Sequence, residues 1–304
     1  MVDFIKLLLI DPYLIRRLRE SDLIVWKLSI IFPSPKKSCT LRIDRYEYQG
    51  IIFDFGPNDK WVKIHFKPHY FFNNNEHNAN DFSVESCVGT LNQFLSRFKL
   101  DPKKLKVINL EFGLNLSPSG ITGKYLVESC IYISKTPMSN TTGLEFAKQS
   151  ITRGKSVYKG FKIYDKRFQF PYLVKNELVR LEITSAQAKF IQTLGIKTMS
   201  DLLNLEVYDN MAMRLIEEIE QLLILDPKLE LCCSPKERAY YNKCLRHDYW
   251  SNLAKDRSRN KFIRHRNKFE QFIQIHGGRN IKQELIELAQ IKLMTLLENG
   301  ADSN

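Results

Sequence analysis

Several things are scarce in this chain, and each scarcity excludes something. Thirteen glycines and eleven prolines in 304 residues are too few for a collagen-like or low-complexity protein. The six cysteines (Cys39, Cys87, Cys130, Cys232, Cys233 and Cys244) form no CxxC pair. Adjacent Cys232 and Cys233 suit neither a zinc knuckle nor an ordinary disulfide, so reduced thiols in a cytoplasmic protein are expected. No stretch approaches the ~18 apolar residues of a membrane span. The apolar run at 4–10 (FIKLLLI) contains Lys6 and meets Asp11-Pro12 without a small-residue cleavage site. It is not read as a signal peptide, and no membrane partner is expected. Acids are also short: 34 Asp+Glu face 46 Lys+Arg, a formal charge of +12. That balance favours a phosphate-bearing partner. With 43% hydrophobic residues, the chain has enough apolar material to fold.

What is present divides into two halves. Residues 39–48, 50–55, 61–69, 105–116, 157–166 and 177–184 are rich in β-branched and aromatic residues with period-two alternation, and they predict strands. An amphipathic helix is predicted at 83–98 and a weaker one at 124–134. A turn-rich stretch lies near 135–155. Beyond 184 the pattern becomes helical, with Gly195 as a helix stop, a short helix from Ser200-Asp201, a helix over 207–225, and two to four more after Pro235. The fold class expected is α+β: an antiparallel central sheet with packed helices, then an all-helical region. The division expected is 1–190 for a catalytic domain and 191–304 for a basic, DNA-binding region.

Residues 236–268 hold eleven Lys/Arg against three acids, a local excess of +8. Arg246, Lys255, Arg257, Arg259, Lys261, Arg264, Arg266 and Lys268 are the DNA-binding candidates. Tyr240, Tyr241, Tyr249, Trp250, Phe262 and Phe269 are interleaved with them, which suits either base stacking or a small aromatic core.

Alternate side chains of a strand share a face. In 105–116, Ile108, Leu110, Phe112, Leu114 and Leu116 fall on one side, with Asn109, Glu111, Gly113 and Asn115 on the other. Gly113 is expected to leave open space near Glu111. The strands carrying His65, Tyr158, Lys162, Tyr164, Lys166, Arg180 and Glu182 split in the same way. A shared sheet would gather His, Glu, Tyr, Lys and Arg on one face. A tyrosine hydroxyl can attack a phosphodiester and conserve the bond energy. Carboxylate and imidazole can hold Mg²⁺ or Mn²⁺, which polarises a phosphate. Each residue alone is equally readable as part of a solvated sheet face.

Three segments carry a family resemblance: His77-Asn78-Ala79-Asn80-Asp81-Phe82; Asn109-Leu110-Glu111-Phe112-Gly113-Leu114-Asn115; and Phe161-Lys162-Ile163-Tyr164-Asp165-Lys166 with Gln169 and Arg180-Leu181-Glu182. In these the chain resembles replication initiators of single-stranded DNA phages and rolling-circle plasmids. The resemblance is greatest to phage and plasmid replication proteins of Bacteroidota, and more distant to the filamentous-phage gene II endonuclease. It implies metal-dependent nicking of one strand at an origin, a 5′-phosphotyrosine link, and a 3′-OH that primes synthesis by host replication machinery. It makes Glu111 the first metal ligand, with His65, His77 and Glu182 as further candidates. Tyr158 is the leading nucleophile, Tyr164 the alternative, and Tyr240 or Tyr241 a third; Lys162 and Lys166 would assist at the phosphate. The paired-histidine motif of many such enzymes is absent, since Ile64-His65-Phe66 has one histidine. A non-catalytic, sequence-specific DNA-binding initiator or regulator is the competing reading.

Overall fold

A computed structural model describes residues 1–33, 40–141, 146–153, 156–256 and 258–298. The chain begins β1 (Val2–Leu9), α1 (Pro12–Arg19), β2 (Val25–Pro33), β3 (Thr40–Tyr48), β4 (Ile51–Phe55), β5 (Val62–Phe66), α2 (Pro68–Phe72), α3 (Val84–Phe98) and β6 (Lys106–Leu116). It continues with α4 (Gly123–Ser129), β7 (Cys130–Ile133), β8 (Thr136–Pro137), β9 (Ser139–Thr141), β10 (Phe146–Arg153), β11 (Ser156–Asp165), α5 (Lys166–Gln169) and β12 (Val179–Ser185). The last part is α6 (Ala188–Thr193), α7 (Glu206–Glu220), β13 (Leu222–Ile224), α8 (Pro235–Cys244), α9 (His247–Lys255), α10 (Arg259–His276) and α11 (Ile281–Glu298). The α+β class and the helical C-terminal region are as the alternation and helical periods predict. The predicted helix at 124–134 stops at Ser129, and its second half is strand β7. The end of the helix predicted over 207–225 likewise becomes β13, which pairs with β7.

Among the described residues, ten strands form one sheet in the order β2-β3-β4-β5-β1-β6-β12-β11-β10-β9, and the pairings are antiparallel. Directly opposed residues share a face. Ile5, Leu7, Ile64, Phe66, Phe112, Leu114, Leu181, Ile183, Phe161 and Ile163 all point one way and are fully buried. Helices cover them. Ser83 caps α3, whose buried stripe Cys87, Leu91, Phe94 and Phe98 packs on the sheet, with Phe94 stacked on Phe66 at 4.9 Å. Residues of α6, α7 and α11 join the same apolar cluster. The division expected at residue 190 therefore runs through the main core. A second cluster joins β7 and β13 to α8, α9 and α10 through Tyr132, Leu223, Tyr241, Trp250, Phe262 and Phe269.

Two of the bulges bear on the centre of the sheet. Val2 pairs with Phe112 and Phe4 with Glu111, so Asp3 is an extra residue in β1. In β11, Lys159 pairs with Ile151 and Val157 with Thr152, so Tyr158 is extra. Another irregularity corrects the reading of β6. Lys6 pairs with Asn109 and Leu7 with Val107, which puts Val107 in the core and leaves Ile108 half-buried.

Gly113 does not face open space. Its partner across the sheet is Glu182, and a Cβ at Gly113 would overlap the Leu181 carbonyl oxygen and lie 3.0 Å from Glu182 Cγ. Glycine is required there so that β12 and the Glu182 side chain can lie close over β6. Gly113→Ala is expected to destabilise the fold by about 1–3 kcal/mol, as overpacking does. A urea midpoint equal to that of the wild type would show that the strands can part at no cost.

Candidate active site

The face opposite the helices carries the polar residues. Three neighbouring pairs set its centre: Asn115 opposite Arg180, Gly113 opposite Glu182, and Glu111 opposite Thr184. On the other side of β12, Arg180 faces Tyr164, Glu182 faces Lys162, and Thr184 faces Gly160. The sheet register alone brings Glu111, Glu182, Lys162, Tyr164 and Arg180 together, and the sequence motifs name all five. Asp3, Phe4, Lys67, Tyr70, Asn78, Glu111, Lys162, Tyr164, Gln169 and Glu182 line an open hollow of about 360 Å³.

Arg180 is the buried centre of the network. Its guanidinium donates to Glu182 Oε1 at 3.0 Å, to Asn115 Oδ1 at 2.7 Å, and to the Asp3 carboxylate. Burial alone would raise the Asp3 carboxyl, but Arg180 and His69 outweigh it and hold it well below the ordinary range. Asp3 was not legible as a site residue. By simple alternation it belongs to the core face with Ile5, and the bulge turns it to the other side.

The Tyr164 hydroxyl donates to Glu182 Oε1 at 2.5 Å. Burial, then the charge of Glu182, raises its pKa well above the ordinary value, so it is a phenol at neutral pH. Lys162 Nζ sits 2.7 Å from Glu182 Oε2 and 3.4 Å from Glu111 Oε2. Burial would weaken this ammonium, yet the two carboxylates outweigh it and raise its pKa. Thr184 Oγ1 donates to Glu111 Oε1 at 3.0 Å. Lys166 is fully buried, 4.9 Å from the centre of the Tyr164 ring, and donates to Asn78 Oδ1 at 2.6 Å and Gln169 Oε1 at 2.8 Å. Burial and then Arg180 lower its pKa to about 7.

The segment around Asn78 supports this floor. Asn115 Nδ2 donates to the Asn80 carbonyl at 2.9 Å, Asn78 Nδ2 to Asp3 Oδ1 at 3.3 Å, and His69 Nε2 lies 2.9 Å from Asn80 Oδ1. Phe82 stacks on His69 at 4.6 Å. The asparagines of the first motif thus fasten its loop to the sheet.

Other candidates stand elsewhere. At the bulge, Tyr158 turns toward the helices: its ring is 5.7 Å from that of Phe190, and it packs against the main core. It does not line the hollow, so the structure does not bring the leading nucleophile candidate to Glu111 and Glu182. Tyr240 and Tyr241 belong to the second core, with Tyr241 donating to the Asp226 carbonyl. His65 is on the polar face but beyond β1 from Glu111, and its Nε2 is 3.1 Å from Asp54 Oδ2. Asp54 is itself clamped by Arg45 at 2.7 and 2.9 Å. His77 lies in the loop, accepts from the Ala79 amide, and meets the Phe170 ring edge-on. Neither histidine joins the carboxylates.

The donors that remain are oxygens of the type a divalent cation takes. Mg²⁺ and Mn²⁺ take hard oxygens, and Mg²⁺ is often held by one or two carboxylates with water and phosphate completing its shell. Glu111 and Glu182 supply two carboxylates at the hollow, and the Lys162 ammonium marks the position between them that favours positive charge. Among the described residues no three of His, Cys, Asp and Glu gather into a cage.

The basic C-terminal region is mixed. Arg266 is buried, donating to the Gln221 carbonyl at 3.1 Å, so it is structural. Arg246 pairs with Asp248 and Lys261 with Asp256. Lys255, Arg264 and Lys268 are exposed; Arg257 lies outside the described residues, and of Arg259 the backbone alone is described. The interleaved aromatics Tyr241, Trp250, Phe262 and Phe269 are buried against one another, so of the two alternatives these four form the small aromatic core. Among the described residues no helix is long and apolar enough to cross a membrane.

No family model matches the chain, and no curated protein does. Among solved structures, the rolling circle replication initiator protein from Geobacillus stearothermophilus aligns with 89% of this chain and 96% of its own, at 7% identity and a TM-score of 0.37. Overlap at that level does not establish a shared fold.

The buried lysine gives a sign for pH dependence. Unfolded, Lys166 keeps its proton up to about 10.5; folded, only up to about 7. Between those values the unfolded state binds more protons, so this group makes stability rise with pH across that window. Lys166→Met should flatten that part of the slope in urea midpoints taken from pH about 7 to about 9.5. An identical slope in both proteins would mean that Lys166 stays charged in the fold.

Proposed function

We propose that the protein nicks one DNA strand at a replication origin through Tyr164 and so primes rolling-circle replication. The observation that carries this reading is the Tyr164 hydroxyl, bonded to Glu182 at an open hollow with Lys162 and Glu111 beside it. On this reading Glu182, which accepts from Tyr164 Oη, takes the phenol proton as that oxygen attacks phosphorus. The bond from phosphorus to the 3′ oxygen breaks, and that oxygen takes a proton from water and leaves as a 3′-OH. The 5′ phosphate stays on the tyrosine, so the phosphodiester energy is retained for rejoining. Arg180 holds Glu182 in position, and Lys162 offers positive charge to the phosphate. Glu111 and Glu182 would hold a Mg²⁺ or Mn²⁺ ion, which when bound adds charge stabilisation at a phosphate oxygen. The substrate and partner on this reading are origin DNA and the host replication machinery of a phage or plasmid. A cytoplasmic setting agrees with it.

The test is a denaturation-resistant adduct with single-stranded origin DNA in Mn²⁺ or Mg²⁺. Tyr164→Phe should abolish the adduct and Tyr158→Phe should retain it. Loss in Tyr158→Phe with retention in Tyr164→Phe would overturn the assignment. No adduct with any origin DNA would favour the non-catalytic DNA-binding initiator.

The carboxylate pair can be tested without turnover. Lys162→Met leaves Glu111 and Glu182 facing each other without a neutralising ammonium. Millimolar Mn²⁺ should then raise the Tm of the variant more than that of the wild type. Equal shifts would show that these two carboxylates do not hold the ion.

A further inference from the structure

We infer that α10 is a recognition helix that reads base edges of duplex DNA in the major groove, through Asn260, Arg264, Asn267, Lys268 and Gln271. This rests on the DNA-processing reading above and adds to it a means of choosing the sequence. The residues recur at helical spacing along one side of an 18-residue helix. The opposite side, with Phe262, Phe269, Phe272 and Ile273, is buried in the second core, and Arg266 is anchored there to Gln221. The outer side is therefore held on a rigid support. Asn260, Arg264, Asn267, Lys268 and Gln271 are exposed and line a shallow groove with Ile263.

The chemistry of this side separates nucleic acid from other partners. No acid lies on it: Glu270 points away and pairs with Lys282 at 2.6 Å. Among the described residues neither Arg264 nor Lys268 has an ion-pair partner, and Lys268 lies 5.1 Å from the centre of the Tyr240 ring. The positive field is strong enough to act on a neighbour. After burial, Arg264, Lys261, Lys268 and Lys243 all lower the pKa of His265. An acidic protein would need the cations alone. Asn and Gln amides each present a donor and an acceptor, the pattern that an adenine edge matches, while Arg and Lys match guanine. An α-helix about 10–12 Å across fits a major groove about 12 Å wide. From Asn260 to Gln271 the helix rises roughly 16 Å, the length of about five base pairs.

The experiment is selection of bound sequences from a random duplex library, followed by competition binding. Wild type should enrich a short site, and Asn267→Ala with Gln271→Ala should cut its preference over random duplex by at least tenfold, since each bidentate pair discriminates by that order. Affinity for random duplex should stay within about twofold, because non-specific binding comes essentially from Lys and Arg neutralising phosphates. Arg264→Ala with Lys268→Ala should shallow the salt dependence by roughly two phosphate contacts. No enriched site in the wild type, or the same site enriched by the amide variant, would overturn the inference. A fall in random-duplex affinity equal to the fall in site affinity would also overturn it, since the helix would then only grip. The nicking assay separates this from the reading above. The amide variant should still form the adduct on single-stranded DNA, and Tyr164→Phe should still select the same duplex site.

Discussion

Arg180 is the interaction on which the site depends. It is buried in the sheet and reaches three strands at once: Asp3 on β1, Asn115 on β6, and Glu182 on its own β12. An ion pair taken out of water gains little net stability, because desolvation offsets most of the attraction. Breaking one side of it is different: an uncompensated buried charge costs about 3–5 kcal/mol. The network therefore acts through penalty. Any shift that moves Glu182 from its place beside Tyr164 also leaves Arg180 under-satisfied. Gly113 allows the close approach, and Lys162 neutralises the face of Glu182 that Arg180 does not reach.

Local irregularity decides which residues belong to this site. One extra residue in β1 brings Asp3 out of the core face and into reach of Arg180. One extra residue in β11 takes Tyr158 away from the polar face and sets it against Phe190. The two bulges lie on strands either side of the β6–β12 pair, and between them they bring Asp3 to Arg180 and keep Tyr158 away from the hollow.

That is also where the sequence stops being readable. Period-two alternation is a strong signal because a half-buried strand requires it, and it located β3 to β6, β11 and β12 within a few residues. The three motifs pointed to Glu111, Lys162, Tyr164, Lys166 and Glu182, and register brings four of these to one hollow with Lys166 just behind it. Asp3 was hidden because FIKLLLI, read as an isolated apolar run, gives no sign that its strand sits mid-sheet or carries a bulge. His65 and His77 fit a ligand list by type, yet each has a local partner, Asp54 and the Ala79 amide. The aromatics of 236–268 could have stacked on bases or on each other, and nothing in their spacing distinguished the two. A small core joining α8 to α10 needed them. Gly113 read as a gap because one strand viewed alone does not reveal what its neighbour places over it.

The position of β1 has a consequence for the order in which this protein comes into being. It precedes the other described strands in the chain and is one of the inner strands of the sheet, between β5 and β6. Its contact with Arg180 spans 177 positions of chain. At a synthesis rate of roughly 5–20 residues per second, that partner follows about 9–35 s later. Until then Asp3 has no guanidinium and Glu182 does not yet exist. The Arg180–Asp3 and Tyr164–Glu182 contacts therefore cannot form in a chain that stops short of β12, and the polar face is complete only once that strand has joined the sheet.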